Sequence, residues 1–520
     1  MSFYTHGQAR RSLIDTVAFR VISQICTLLG YVVLVRGLSK EDFGVFNLLY
    51  AFIPVISTIA SLGLEQTLRR YQPEYLQAGN TAGAAWLVRF VASTRFGTNV
   101  ILLSLILLGW NHLAPLLKVE PYRAEFVVFC LLVLLHFQAG ILQLSLAAHM
   151  LHRYSVGSIA IVAIVKLIAY CLLWWRDTFT LQHAIIADTV AFGVAYAFML
   201  LAYRRLCVGA APRGRYRPVL VERRRLLRYG VFNNFNDAGT LVLSSKSDSL
   251  FIAAIIDPIS VGIYAFYTRL NEMAHQLLPG RLFENVVQPL FFAVPQEHAG
   301  DRLPRYFSLL LNLNLMMQWP VLAYATVYHA EFVEFVFGGK FIEHSWLLPV
   351  IVAFATINVI AGPVTLVAQY EEKVQVILWS KLFGIYNIIA LLALLPIAGV
   401  YGAAIASGSA QAMKNLFIWW HVRRRAIWTN AIAALVSSII LWSVVIAACF
   451  FLKHVAGKTA LLQLSVGAVV VAVGALLHVR SSAISIEDRS ILEGVLGGRE
   501  AVLLRKIGLL GRSRNPPPGT

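Results

Sequence analysis

Long apolar runs separated by short polar segments follow one another along almost the whole chain. A helix that spans a membrane needs roughly 20 apolar residues, and by that measure the pattern predicts about fourteen spans. They lie near residues 13–35, 43–64, 87–109, 124–148, 155–175, 181–203, 227–256, 261–288, 306–330, 345–367, 374–396, 399–421, 431–452 and 459–479. The pattern therefore predicts an all-α polytopic membrane protein.

Composition and charge agree with this interpretation. Of 520 residues, 58% are hydrophobic and 13% are charged, whereas about 25% is typical of soluble domains. The net charge of +18 is concentrated in alternate loops, as the positive-inside rule requires, so we expect both termini in the cytoplasm and no nucleic-acid partner. The polar start of the chain is not typical of a signal peptide. The spacing of the five cysteines indicates neither disulfides nor a metal site.

The two halves of the chain share short motifs. The segment "LSKEDFGVFNLL" follows span one and "IDPISVGIYAFY" follows span seven, which pairs Gly44 with Gly262. At nearly the same offset, "KLIAY" pairs Lys166 with Lys381 of "KLFGIY". A duplication predicts two pseudo-symmetric six-helix lobes that run the same way through the membrane. The predicted domains are an N-terminal lobe, a C-terminal lobe, a final helix pair and a cytoplasmic tail, at residues 1–212, 213–425, 426–480 and 481–520.

Both halves carry charged residues within or beside their spans. Near the ends of spans, long side chains can reach the membrane surface. A charge deeper in a span costs about 2.5–3.5 kcal/mol, which favours a water-filled cavity or a charged partner. The deeper residues are Arg20, Lys166, Asp188, Lys246, Asp248, Arg269 and Lys381. Arg95 and Lys414 are further charges within or at the edges of spans.

Spacing adds detail to these charges. In "LSSKSDSLFI", residues 243–252, Lys246 and Asp248 are two apart and point to different sides of a helix. Arg269 and Glu272 are three apart and can pair on one helix face. Lys166 and Lys381 would form an anion site if they faced each other across a lumen.

Several longer segments resemble polysaccharide flippases, which export O-antigen and exopolysaccharide repeat units. The segments are "RGLSKEDFGVFNLL", "GLEQTLRRYQPEY", "SDSLFIAAIIDPISVGIYAFYTRL", "FVEFVFGGKF" and "VYGAAIASG". The superfamily also contains lipid II flippases and multidrug antiporters, and the extra pair of spans favours the lipid-linked branch. The resemblance implies that an undecaprenyl-pyrophosphate-linked oligosaccharide crosses the inner membrane by alternating access. It also implies membrane lipid, a glycan polymerase and assembly proteins as partners.

On this resemblance, basic residues of the lumen would contact the pyrophosphate. The candidates are Arg20, Lys166, Lys246 and Lys381, followed by Arg95 and Arg269. Asp248 matches an acidic position of the family, and Asp248 and Asp188 are candidates for coupling to protons or sodium ions. One alternative is a cation-coupled multidrug or metabolite antiporter of the same fold. Another is a membrane glycan polymerase or ligase, but the short outer loops and the lack of a nucleophile–base pair indicate a protein that is not an enzyme. We expect no metal and no cofactor.

Overall fold

The computed structural model describes residues 6–208, 220–277, 299–423, 431–455, 457 and 459–480. In these ranges the regular structure is entirely helical. The predicted tail at 481–520 lies outside the described residues. The first eight helices are α1 His6–Gly37, α2 Lys40–Ser61, α3 Leu64–Gln77, α4 Thr81–Leu108, α5 Trp110–Leu117, α6 Arg123–Ala148, α7 His152–Trp175 and α8 Leu181–Tyr203. The later helices are α9 Leu220–Val242, α10 Ser245–Ile255, α11 Pro258–Leu277, α12 Ala299–Phe337, α13 Leu347–Ile357, α14 Ala361–Tyr370, α15 Val374–Trp379, α16 Phe383–Val422, α17 Ala431–Val455 and α18 Ala460–Arg480.

Ten helical segments of the described chain are long and apolar enough to span a membrane. One of them, Gln375–Val422, is 48 residues long and covers predicted spans eleven and twelve. The predicted spans near 227–256, 261–288 and 306–330 are not among the ten. Residues 278–288 of the second of these regions lie outside the described residues. The third contains polar side chains, such as the asparagines and glutamine of 312–318. The chain is thus a multi-pass membrane protein, and the count of fourteen spans stays a prediction.

Short polar side chains determine where several helices begin. Ser39 accepts a hydrogen bond from the backbone N–H of Asp42 at 2.9 Å and caps α2. Asp257 accepts one from the N–H of Ser260 at 2.7 Å at the start of α11. A cap of this kind satisfies an N–H group that the first helical turn leaves without an intrahelical partner. Ser39 and Asp257 occupy matching positions of the two motifs, so the local structure repeats together with the sequence.

The described chain forms two compact units, residues 1–265 with 391–403 and residues 266–390 with 404–520. In the first unit, a buried apolar cluster joins α3, α4, α6 and α8. Its members include Leu68, Leu87, Leu146 and Met199, and all of them are almost completely shielded from solvent. The bounds of these units come from packing alone, and the predicted lobes at 1–212 and 213–425 stay a prediction.

The second unit has two apolar clusters that both contain residues of α12. One joins α12 to α14 and α16. The other joins α12 to α17 and α18, where Trp442 is fully buried and donates a hydrogen bond to His478 Nδ1 at 3.0 Å. Gly467 of α18 lies so close to Tyr328 that an added Cβ would be 2.3 Å from a ring carbon. The helix pair α17–α18 is therefore an integral part of this unit.

The matching glycines of the repeat touch each other inside the first unit. A Cβ atom added to Gly262 would lie 3.0 Å from the Cα of Gly44, and one added to Gly44 would lie 2.0 Å from the carbonyl oxygen of Pro258. Because real Cβ atoms do not approach a backbone oxygen so closely, α2 and the start of α11 are in backbone contact. This contact requires glycine at residue 44.

Candidate functional site

Asp188 on α8 carries a fully buried carboxylate of the first unit. It accepts a hydrogen bond from Tyr170 Oη at 2.5 Å and another from Tyr50 Oη, and its Oδ2 lies 2.7 Å from Lys166 Nζ. These donors come from α2 and α7, so three helices meet at this carboxylate. Asp188 is fully shielded, whereas 23% of the Lys166 side chain is exposed. The charge of Lys166 is thus balanced within the unit.

This arrangement changes how Lys166 is interpreted. A cation that would attract a pyrophosphate in a lumen needs a charge that is not already neutralised. Lys166 instead compensates the buried Asp188, and a buried carboxylate is costly without such a partner. The structure therefore favours a role for Lys166 in holding Asp188, and it brings a predicted head-group contact and a predicted ion-coupling residue into one cluster.

Arg95 of α4 is fully buried in the same unit. Its guanidinium donates hydrogen bonds to the carbonyl oxygen and the hydroxyl of Ser57, each at 2.9 Å, and lies 3.3 Å from Glu65. It also lies 4.2 Å from the centroid of the Phe137 ring. Because packed neighbours surround Arg95, this placement favours a structural role in joining α2, α3 and α4. Arg20, in contrast, is exposed on α1.

The segment that contains Lys246 and Asp248 is not part of one continuous span. Predicted span seven, 227–256, is wrong as a single helix, because α9 ends at Val242 and α10 begins at Ser245. Ser244 lies between them and accepts a hydrogen bond from the N–H of Ser247 at 3.3 Å. Its hydroxyl also donates to the carbonyl oxygen of Leu241 at 2.6 Å. The serine-rich sequence thus provides polar groups for the two helix ends.

Lys246 and Asp248 both lie in the first turn of α10. Asp248 is fully buried, and the hydroxyl of Tyr264 donates a hydrogen bond to its Oδ2 at 2.7 Å. A carboxylate in a first turn also interacts favourably with the positive end of the helix dipole. Lys246 is half-buried in the same turn. Asp188 and Asp248 therefore share one arrangement, since each is a buried carboxylate that accepts a hydrogen bond from a tyrosine.

In the second unit, Arg269 pairs with Glu272 at 3.0 Å along α11. This is the pairing on one helix face that the three-residue spacing predicts. About one third of each side chain is exposed, so the pair is accessible from outside the packed unit. Arg269 thus has a local carboxylate partner.

Lys381 has a different neighbour, Lys414. In α16 the backbone departs from helical geometry at Gly399, with φ of 54°. The helical arms on either side of it run antiparallel, since Tyr386 Oη is 3.2 Å from Ser409 Oγ and Ser407 Oγ is 3.3 Å from Asn387 Oδ1. This register places residue 381 opposite residue 414 across the two arms.

Two lysines that lie opposite each other concentrate positive charge at one place, and such a place attracts an anion. Lys414 is half-buried on α16. The sequence places it among the intramembrane charges, but its spacing alone gives it no role. The antiparallel register of the two arms was the missing signal, because only that register shows which residue lies opposite Lys381.

A metal ion would need side chains in the described ranges that could bind it together. There, no group of at least three His, Cys, Asp or Glu side chains is placed to hold a metal ion. The five cysteines are free thiols. The charged groups that bear on the predicted site are therefore the buried carboxylate clusters, the Arg95 cluster and the lysine pair.

Comparison with solved structures defines the fold, which is that of the following two proteins. "Lipid II flippase MurJ, inward closed conformation" matches with a TM-score of 0.62 and 13% identity over 90% of this chain and 98% of that chain. "Inward-facing conformation of a multidrug resistance MATE family transporter of the MOP superfamily" matches with a TM-score of 0.58 and 12% identity, over 79% and 98% of the two chains. At these identities the similarity shows the fold.

The sequence profile of the family described as "Polysaccharide biosynthesis protein" matches residues 10–293. This is more than half of the chain, and the chain belongs to that family. No curated protein matches the sequence.

Proposed function

We propose that this protein is a flippase that moves an undecaprenyl-pyrophosphate-linked oligosaccharide across the inner membrane during surface polysaccharide biosynthesis. Membership of the polysaccharide biosynthesis family and the flippase-like fold support the substrate class. The observation that carries the proposal furthest is the Lys381–Lys414 pair, because a lipid pyrophosphate is the kind of anion that such a pair attracts.

The physical reason is the charge of the head group. Moving an ionic group across about 30 Å of hydrocarbon is unfavourable without polar contacts on the way. Two ammonium groups offer several N–H donors to phosphate oxygens, and hydrogen bonds between charged partners are roughly twice as strong as neutral ones. Lys246 and Arg20 are further candidate contacts, since both are at least partly exposed. Arg269 follows them because Glu272 already balances its charge.

The buried carboxylates are candidates for coupling transport to protons or sodium ions. When Asp188 takes up a proton, it loses its negative charge, and its ion pair with Lys166 is broken. The donors to Asp188 lie on α2 and α7, so this change alters how three helices are held together. Asp248 and Tyr264 offer the same chemistry at the start of α10. Such changes would drive alternating access. In this proposal both termini lie in the cytoplasm, and a glycan polymerase or assembly proteins are the partners.

A flipping assay in proteoliposomes tests the proposal. The purified protein is reconstituted with a fluorescent undecaprenyl-pyrophosphate-linked oligosaccharide, and an impermeant quencher reports the initial rate of flipping. We expect Lys381→Gln and Lys414→Gln each to lower this rate by at least about tenfold, because each removes a charged hydrogen bond of roughly 1.5–3 kcal/mol.

Lys453→Gln is the matched control. It removes a lysine of the same unit that pairs with Glu331 at 2.7 Å, far along the chain from the lysine pair. We expect its flipping rate to stay within about twofold of the native rate. Native rates for both Lys381→Gln and Lys414→Gln would overturn the anion site. If the native protein takes up cationic drugs and does not flip the lipid-linked oligosaccharide, its function is that of an antiporter and the proposed flippase function is wrong.

A further inference from the structure

A groove of about 850 Å³ opens on the first unit between α4, α6 and α8. Its walls are mostly apolar and include Leu135 of α6 and the stacked rings of Trp86 and Phe90, whose centroids are 5.2 Å apart. Its polar groups are those of Arg89, Ser93, Gln138 and Tyr196. Its volume falls within the range of about 300–1,000 Å³ that is typical of small-molecule sites.

The groove lies on a surface that faces lipid. Phe96 and Leu131, which also line it, are 49% and 52% exposed. Large exposed apolar side chains are more stable in hydrocarbon than in water, which favours a lipid-facing position for this wall. The groove is therefore open to the acyl chains of surrounding lipids.

Arg89 contributes a cation to the lining of the groove. Arg89 is exposed nine residues into α4, near the helix end that the predicted topology places at the cytoplasm. Within the described residues, Arg89 Nε donates a hydrogen bond to the carbonyl oxygen of Ala85 at 3.3 Å. This bond does not use the terminal guanidinium nitrogens. Trp86 lies beside it, and tryptophan is enriched where a membrane meets water.

We propose that this groove binds an anionic phospholipid of the cytoplasmic leaflet. The Arg89 guanidinium would hold the phosphodiester, and an acyl chain would lie between Leu135 and the Trp86–Phe90 pair. The charges are complementary, since one arginine matches the single negative charge of a phosphodiester. A pyrophosphate carries more charge than one arginine balances, so the observations favour a membrane phospholipid over the transported lipid. The inference does not depend on the proposed function.

Native mass spectrometry tests the site with defined lipids. The full-length protein is reconstituted with equal amounts of phosphatidylglycerol and phosphatidylethanolamine that have identical acyl chains, and the retained lipids are counted. We expect the native protein to retain phosphatidylglycerol preferentially. Arg89→Gln should reduce that retention at least fivefold, because the phosphodiester loses its cation.

Two further variants separate the groove from general effects of charge. Leu135→Trp fills the groove while Arg89 is intact, and it should reduce retention of phosphatidylglycerol to a similar extent. Arg123→Gln removes an exposed arginine at the other end of α6 and should retain lipid like the native protein. Native retention in either Arg89→Gln or Leu135→Trp would overturn the proposal. So would displacement of phosphatidylglycerol by a tenfold lower concentration of undecaprenyl pyrophosphate.

Discussion

Replacing Lys166 by methionine should destabilise the protein more than its partial exposure suggests. The substitution keeps most of the side-chain volume but removes the cation that lies 2.7 Å from the fully buried Asp188. Breaking a buried ion pair from one side costs about 3–5 kcal/mol, because the remaining charge is left uncompensated. We expect the lower end, about 3 kcal/mol, since the two tyrosine hydroxyls still donate to Asp188.

The reverse substitution should cost less. In Asp188→Asn the carboxylate is gone, and Lys166, of which 23% is exposed, can turn toward water. The double variant Lys166→Met/Asp188→Asn leaves no unpaired charge and should recover most of the lost stability. The order of melting temperatures should be native, then the double variant, then Asp188→Asn, with Lys166→Met lowest by roughly 5 °C.

Thermal unfolding of purified protein in one detergent, followed by a thiol-reactive dye, measures this order. Lys453→Met is the matched control, because its Nζ lies 2.7 Å from Glu331 and its exposed fraction of 25% is similar. Glu331 is itself 16% exposed, so its loss of a partner should be milder. The predicted role of Lys166 is wrong if Lys166→Met has the melting temperature of the native protein. It is also wrong if the double variant has a lower melting temperature than Lys166→Met, because Asp188 would then not need Lys166 to balance its charge.

Two glycine contacts give further predictions. Gly44→Ala places a Cβ 2.0 Å from the carbonyl oxygen of Pro258 and should destabilise the protein by at least about 2 kcal/mol. Gly97→Ala, with no atom within 4 Å of the new Cβ, is the control and should melt at or slightly above the native temperature. Gly467→Val should lower the melting temperature as well, because its Cβ would lie 2.3 Å from a ring carbon of Tyr328. A native melting curve for Gly44→Ala would show that the two backbones are not in contact.

The sequence predicts the class of fold well because hydropathy reports directly on membrane insertion. It fails at span seven for a physical reason, since hydropathy averages over a window and does not detect a break of two residues. The signal was nevertheless present. Ser244 is a good helix N-cap and Asp248 is a favourable first-turn residue, and together they are typical of a helix start.

The candidate site could be predicted only in part. Charge and depth identify Lys166 and Asp188 as unusual, but their pairing depends on how α7 and α8 pack against α2. Sequence spacing does not contain that information. The placement of Lys381 opposite Lys414 was easier to predict from the sequence. It follows from the position at which the chain reverses direction between two helical arms of similar length. Arg95 and Glu65 are 30 positions apart, and only tertiary packing brings them together.

The contact between Gly44 and Gly262 has a consequence for how this chain arose. In a twofold dimer the same surface patch serves both partners, and each patch must complement itself. Gly44 and Gly262 occupy matching positions of the two motifs and pack against each other within a single polypeptide. On the predicted duplication, a dimeric ancestor of one lobe would have brought these two glycines together across its interface and gained a covalent link when its gene was duplicated. The glycine at each position would then preserve an ancient subunit interface.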